Sequence, residues 1–292
     1  SGVADQIALV DLDKELAQGQ VLDLNHGRFF FPSVHIHVGD ESDYADAQVI
    51  VITAGAGQKP GETRLDLLQK NAAIMRSIVD GIVAQDSPAV MLIVSNPVDV
   101  LTYVAQRHSG WPSSRVMGSG TVLDSARLRY LLGQHCNIDV HNVHAYVLGE
   151  HGDSEFAAWS MVHLAGLSMD QYCPVCGHCG DWERERRDIE EAVRNSAYHV
   201  IDYKGSTYYA VGLALVRIVG AILRNQHSVL TVSTVLNGEY GLENVALSVP
   251  CIVSQEGIDL VMEASLPPAE DAALQKSAQV LKDAISQLED HE

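Results

Sequence analysis

Short β-branched runs alternating with helical stretches constrain this chain more than any other feature of it. Residues 7–10, 34–38, 49–53, 89–94 and 115–118 read as strands, and the segments between them are long enough for crossover helices, the pattern of a parallel sheet. Between the third and fourth strands Leu67, Leu68, Ile74, Met75, Ile78, Val79, Ile82 and Val83 recur at three-and-four spacing, the apolar face of one helix. Beyond about residue 118 the pattern turns to longer helices and polar loops. The expected fold is therefore α/β: a Rossmann-type doubly wound parallel sheet over 1–118, followed by an α+β substrate domain over 119–292. After Pro267-Pro268, Leu274, Ala278, Leu281, Ile285 and Leu288 form a heptad-like stripe too short for a free coiled coil, so this last helix is expected to dock on the body.

Composition narrows the class. The apolar runs at 49–52 and 89–94 fall far short of the ~20 residues a membrane span needs. A net charge of −19 opposes binding to phosphate backbones, and a hydrophobic share of 47% suits a subunit that buries a flank against its own copies. The five cysteines are an odd number, and no secretory leader pattern opens the sequence, so a reducing cytoplasm is expected rather than a disulfide framework. Cys173, Cys176, His178 and Cys179 form one compact cluster. A closed zinc site draws on two separated ligand pairs, so no metal is expected there.

A dinucleotide-binding sheet should open with a strand and a glycine-rich turn whose amides meet a pyrophosphate. The chain instead runs from Ser1 straight into the strand ending near Asp11. An acid at that strand end suits a ribose diol and disfavours an additional phosphate. The central strand of such a sheet is absent, which leaves two rows of backbone groups to be paired. The expectation is that roughly two to three dozen residues precede this sequence, the length of a strand, turn and helix.

The chemistry concentrates in two segments, Leu123-Asp124-Ser125-Ala126-Arg127 and Gly149-Glu150-His151-Gly152-Asp153-Ser154-Glu155. Imidazole titrates near neutrality, and a carboxylate on one ring nitrogen fixes its tautomer and stabilises its charged form. Asp124 is the candidate orienter of His151. Arg127, one helix turn on, offers a planar fork matched to a substrate carboxylate.

These segments do not stand alone. From Ala4 to the last helix the chain resembles the lactate and malate dehydrogenase family, in its bacterial L-lactate dehydrogenase branch. The matches are Val10-Asp11, Asp23-Leu24-Asn25-His26-Gly27, Thr53-Ala54-Gly55-Ala56, Gln58-Lys59-Pro60-Gly61-Glu62-Thr63-Arg64, Val94-Ser95-Asn96-Pro97-Val98-Asp99, the run from Gly118 to Arg127, and the His151 segment. The resemblance implies that His151 exchanges the proton of the substrate hydroxyl while NAD takes part in hydride transfer, and that Asp124 stabilises the imidazolium. It implies that Arg127 holds the substrate carboxylate and that Arg64, on a loop punctuated by Gly57, Pro60 and Gly61, swings in to polarise the ketone. Asn96 would bond near the reacting oxygen. Asp11, Thr53, Gly55, Asn71, Val94, Asn96 and Val211 would meet the cofactor, and Thr207 and Val211 would line the pocket near the nicotinamide.

Gln58 stands where family members acting on oxaloacetate carry an arginine for its second carboxylate. A neutral amide leaves a buried carboxylate uncompensated, which favours pyruvate and L-lactate. Arg129 and His144 match positions that bind fructose 1,6-bisphosphate between subunits, implying an activated homotetramer. A malate dehydrogenase and a truncated, noncatalytic relative stand as alternatives.

Overall fold

The structure, a computed structural model, describes residues 1–57, 61–177 and 180–289. Its first half carries β1 (Gln6–Leu9), α1 (Lys14–His26), β2 (His35–Val38), β3 (Val49–Ile52), α2 (Arg64–Ala84), β4 (Val90–Ile93), α3 (Val98–Ser109) and β5 (Val116–Gly118). All five strands expected from the sequence form, each within a residue or two of its expected bounds. β1 and β2 pair in parallel, as do β3, β4 and β5.

The second half begins with α4 (Val122–Cys136). Five two-residue strands follow: β6 (Val143–His144), β7 (Val147–Leu148), β8 (Phe156–Ala157), β9 (His163–Leu164) and β10 (Leu167–Ser168). Then come α5 (Met169–Cys176), α6 (Trp182–Lys204), α7 (Tyr209–Leu223), β11 (Ser228–Asn237), β12 (Glu243–Ser254), β13 (Gly257–Val261) and α8 (Pro268–Glu289).

The long strands β11 and β12 are where the structure departs from the reading of helices and polar loops. They form an antiparallel hairpin, and β11 also bridges β5 where Ser233 faces Gly118, giving one mixed six-stranded sheet in the order β13-β12-β11-β5-β4-β3. Both of their faces are covered, so no polar/apolar alternation marks them in the sequence. The expected boundary near residue 118 thus falls inside a continuous sheet. Among the described residues β1 and β2 bond only to each other, and β3 is the other strand ending a row.

The core explains the site's rigidity. Met91, Leu92 and Ile93 of β4 are completely buried, and α2 lays Ala72, Met75, Val79 and Ile82 against the same core. Thr63 opens α2 with a reciprocal bond to Asp66, satisfying first-turn amides. α3 is buried on all sides over residues 98–105. A polar side chain in that stretch must find partners inside the protein. α8 docks on the body as expected, through Leu274, Ala278, Leu281, Ile285 and Leu288.

Candidate active site

Two glycines let the chain bring its polar parts together. Gly120, at φ +51°, turns β5 into α4 so closely against β11 and β12 that a Cβ there would lie 2.5 Å from Ser248 Oγ and 2.6 Å from the Ser233 amide. Gly149, at φ +95°, pairs with Ser248 and aims the His151 loop back over the start of α4. Ser277 of α8 accepts the Glu150 amide at 2.7 Å, fixing that loop from the other side.

In this setting Asp124, only 1% exposed, bonds His151 Nδ1 through Oδ2 at 2.6 Å. Its other oxygen accepts from Nη1 of Arg127. The backbone amide of His151 donates to Oδ2 of Asp99 at 2.7 Å, and Ser233 Oγ donates to Oδ1 of Asp99 at 2.6 Å. The histidine is therefore fixed at its backbone and at one ring nitrogen. Nε2 is left as the nitrogen that can exchange a proton with a ligand.

Electrostatics follow from burial and these bonds. Burial pulls the imidazole down, but the bond to Asp124 and the charges of Asp124, Asp99 and Glu155 outweigh it and lift His151 to about 9. Burial pushes Asp124 up, yet the His151 bond, the His151 charge and Arg127 hold it below the usual carboxylate range. Burial raises Asp99 to about 6 and, with the Asp124 charge, raises Glu155 to about 8. A carboxylate, an imidazole and a guanidinium so arranged can hold an anionic ligand and transfer one proton to or from it.

The structure brings His151, Asp124 and Arg127 into one bonded cluster. Arg64 is not on a loop but is the first residue of α2, where its charge acts on Tyr198 of α6. The Tyr198 hydroxyl donates to Asp153 in the His151 loop at 3.1 Å. Asn71 is buried and spends its amide on backbone, accepting from the Ala56 N–H at 2.7 Å and donating to the Asn96 carbonyl at 3.2 Å. It thus joins the loops after β3 and β4, while Asn96 stays exposed. Thr53 and Gly55 are exposed after β3, Val94 is half-buried after β4, and Asp11 is exposed after β1. Thr207 precedes α7 and Val211 lies in its first turn, both half-buried. No side-chain bond among the described residues ties either to the His151 cluster. Arg129 donates to the Ala145 carbonyl at 3.1 Å and stacks on Tyr146, next to exposed His144. Gln58, His178 and Cys179 lie outside the described residues.

Sequence reasoning assigned no role to Asp99, Ser233, Ser277 or Glu155. For Asp99 a signal existed: an acid between Val98 and Val100 on a helix too apolar to expose it. Asp124, His151 and Glu155 offer ligand atoms within 4.8 Å of one another. The Arg127 guanidinium already neutralises Asp124, and a cation would have to displace the His151 bond. The donor set therefore fits a proton better than a metal ion.

Comparison with known proteins decides the family. Residues 1–118 match the family model of the lactate/malate dehydrogenase NAD-binding domain, and residues 121–292 match that of the lactate/malate dehydrogenase alpha/beta C-terminal domain. The chain belongs to the lactate/malate dehydrogenase family. It is 56% identical over 290 residues to an L-lactate dehydrogenase of Treponema denticola, spanning 99% of this chain and 91% of that one. It is 50% identical to an L-lactate dehydrogenase of a Thermoanaerobacter strain, over 99% and 93% of the two chains. Among solved structures it superposes on a lactate dehydrogenase enzyme from a Medee basin deep-sea metagenome library, with a TM-score of 0.96, 41% identity and coverage of 99% and 92%. A minor L-lactate dehydrogenase from Enterococcus mundtii gives 0.93 and 40%, over 98% and 91%.

As a member of this family the protein is an NAD-dependent oxidoreductase. The residues at the carboxyl ends of β1, β3 and β4 fit that cofactor. Asp11 carries an exposed carboxylate of the kind that pairs with a ribose diol, and exposed Gly55 lies beside Asn71, where a Cβ would touch Asn71 Oδ1 at 3.5 Å and Ser95 Cβ at 3.7 Å. Ser95 Oγ donates to the Ala54 carbonyl at 2.5 Å and holds that loop in place. No helix among the described residues is long and apolar enough to cross a membrane.

Proposed function

We propose that this protein interconverts L-lactate and pyruvate, with His151 and Asp124 as its proton relay. The observation that carries the reading is the 2.6 Å bond from His151 Nδ1 to a buried Asp124 that also binds Arg127. With Nδ1 engaged, protonated His151 donates from Nε2 to the keto oxygen of pyruvate, and neutral His151 accepts the hydroxyl proton of lactate there. Asp124 favours the charged imidazole and so stabilises the proton that His151 takes from lactate as the hydride leaves. Arg127 retains N–H groups beyond the one bonded to Asp124 and pairs with the substrate carboxylate. Arg64, at the helix start with its charge reaching Tyr198, supplies positive charge to the ketone. NAD, when bound, supplies or accepts the hydride, held by Asp11, Thr53, Gly55, Val94, Asn96 and Val211, while Asn71 positions its loops. Thr207 lines the substrate pocket, and Gln58 rejects a second carboxylate. The division into a cofactor unit, 1–118, and a substrate unit, 119–292, belongs to this reading.

NADH oxidation with pyruvate and with oxaloacetate in parallel, beside a His151→Asn control, tests the assignment. Turnover of pyruvate alone, abolished in the control, is expected. A preference for oxaloacetate would replace it with malate dehydrogenase, and no turnover of either substrate by folded protein would leave a noncatalytic relative.

Two finer features are part of the proposal. Arg129 lies beside Ala145 and His144, and Arg217 adds a second positive charge close to Arg129. This basic cluster suits fructose 1,6-bisphosphate as activator. Superimposable pyruvate saturation curves with and without the bisphosphate would remove that role. Leu16, Leu22 and Leu24 on α1 and Tyr209 and Leu213 on α7 are exposed. These apolar faces suit burial in a homotetramer, which size-exclusion chromatography with light scattering checks. A cytoplasmic setting belongs to the same reading and rests on the odd number of cysteines.

A further inference from the structure

Glu155 is the one acid of the His151 cluster without a bonded role. It is 5% exposed, and its carboxyl takes part in no side-chain hydrogen bond among the described residues. Its ligand oxygen lies within 4.8 Å of those of Asp124 and His151. Behind it, a cavity with room for about one water molecule is lined by Glu155, Glu190, Arg194 and the apolar side chains of Val147, Phe156 and Val193. Arg194 of α6 reaches the same residue, donating to the Glu155 carbonyl at 3.3 Å. A largely buried carboxyl without a hydrogen bond costs stability that an apolar side chain would not.

We propose that Glu155 is a positioning residue for the relay, a second carboxyl that faces the His151–Asp124 pair and keeps the imidazole charged on the alkaline side. The inference rests on the relay reading above. Its logic is that of two coupled sites. At neutral pH burial and the Asp124 charge keep Glu155 protonated, up to about 8. As pH rises Glu155 ionises, and its new negative charge opposes the loss of the His151 proton, which is retained to about 9. The neighbouring charges act on both groups. From α4, Asp124 opposes ionisation of Glu155 and Arg127 favours it. Arg194 of α6 also favours it. Asp99 of α3 supports the charged imidazole. Glu150, in the loop, acts on Asp99. Glu190 lines the cavity beside Glu155 but is itself bonded to the Trp159 indole. Asp153 accepts from Tyr198. A proton held by Glu155 is thus released in the pH range where His151 would otherwise lose its own.

The test compares the full chain with Glu155→Gln and Glu155→Asp. Diethyl pyrocarbonate reacts with neutral imidazole, so the pH dependence of His151 carbethoxylation, read by peptide mass spectrometry without substrate or cofactor, reports the His151 proton directly. In Glu155→Gln its midpoint should fall by about 1 pH unit, and the alkaline limb of kcat/KM for pyruvate should fall with it. Glu155→Asp keeps the charge and should stay nearer the parent. Midpoints of parent and Glu155→Gln within roughly 0.3 unit of each other would overturn the proposal, whatever happens to kcat. If Glu155→Gln does not fold, Arg194→Gln carries the same test, because without that guanidinium Glu155 stays protonated to higher pH and the midpoint falls in the same direction. A shifted midpoint in a protein that does not reduce pyruvate would keep this inference and discard the lactate reading.

Discussion

Asp124→Asn isolates the charge of the proposed relay while keeping its shape. The parent carboxylate accepts from two cationic donors at once, His151 Nδ1 at 2.6 Å and Arg127 Nη1. An amide has one oxygen for those two donors, so either its NH2 group faces the guanidinium or it donates to Nδ1. In the second case the proton of neutral His151 moves to Nε2, where it blocks acceptance from lactate. A hydrogen bond to a charged group contributes about 1.5–3 kcal/mol, against about 1 for a neutral one. The Asp124 charge adds at most about 4 kcal/mol at 4 Å and an effective dielectric of 20. A net loss of about 2–3 kcal/mol lowers His151, now at about 9, by roughly 2 pH units. The same energy taken from the transition state reduces kcat/KM by roughly 30- to 150-fold. Steady-state NADH oxidation with pyruvate from pH 6 to 10 measures both, with circular dichroism as the check on folding. The alkaline limb should move down by roughly 2 units and the plateau should drop by about two orders of magnitude. A folded variant whose limb does not move and whose kcat/KM stays within roughly threefold of the parent would refute the relay.

Three further perturbations have defined outcomes. Asp99→Asn leaves one oxygen for both Ser233 Oγ and the His151 amide, so urea unfolding should show a loss of about 2–4 kcal/mol, and a loss below about 0.5 would mean that the bridge is not needed. Gly120→Ala places a Cβ 2.5–2.7 Å from Ser248 Oγ, the Ser233 amide and the Thr231 carbonyl in a left-handed turn; soluble yield should collapse, or Tm fall by more than about 10 °C, and a native Tm would show that the joint relaxes. His151, raised from 6.5 to about 9, contributes stability that is complete below 6.5 and is lost as pH rises through 9. Glu155, raised from 4.5 to about 8, imposes a penalty that grows across that window. Tm should therefore fall by on the order of 5 °C between pH 6.5 and 9, less so in Glu155→Gln, and equal slopes in parent and variant would contradict a contribution from Glu155.

The parallel half of the fold was legible because its strands are bounded by turns and its helices carry a clean apolar period. α2 illustrates this: Leu68, Met75, Val79 and Ile82 announce the buried face, and Thr63 with Asp66 announces the start. β11 and β12 were not legible for a matching physical reason. Ser228, Thr231, Ser233, Thr234 and Ser248 are buried in them, so their polarity reads as loop, while inside the protein Ser248 Oγ accepts from the Thr121 amide, Thr231 bonds Ser125 of α4 and Ser233 donates to Asp99. Arg64 was read as part of a loop because Gly57, Pro60 and Gly61 precede it. The capping pair at Thr63 and Asp66 ends that loop one residue sooner than the glycines suggest.

The site divides along the same line. Asp124 and Arg127 could be paired from sequence because three residues on one helix turn fix their relation. His151 could be added because its segment matched a known pattern. The relation of His151 to Asp99, Ser233 and Ser277 spans α3, β11 and α8 and depends on a sheet that runs through both halves of the chain. His151 is thus positioned by elements from both sides of the sequence boundary at residue 118. A substitution that loosens the β5–β11 bridge, such as one at Gly118, where a Cβ would lie 2.5 Å from Thr102 Oγ1 and 3.0 Å from Ser233 Cβ, should therefore disturb His151 without touching it.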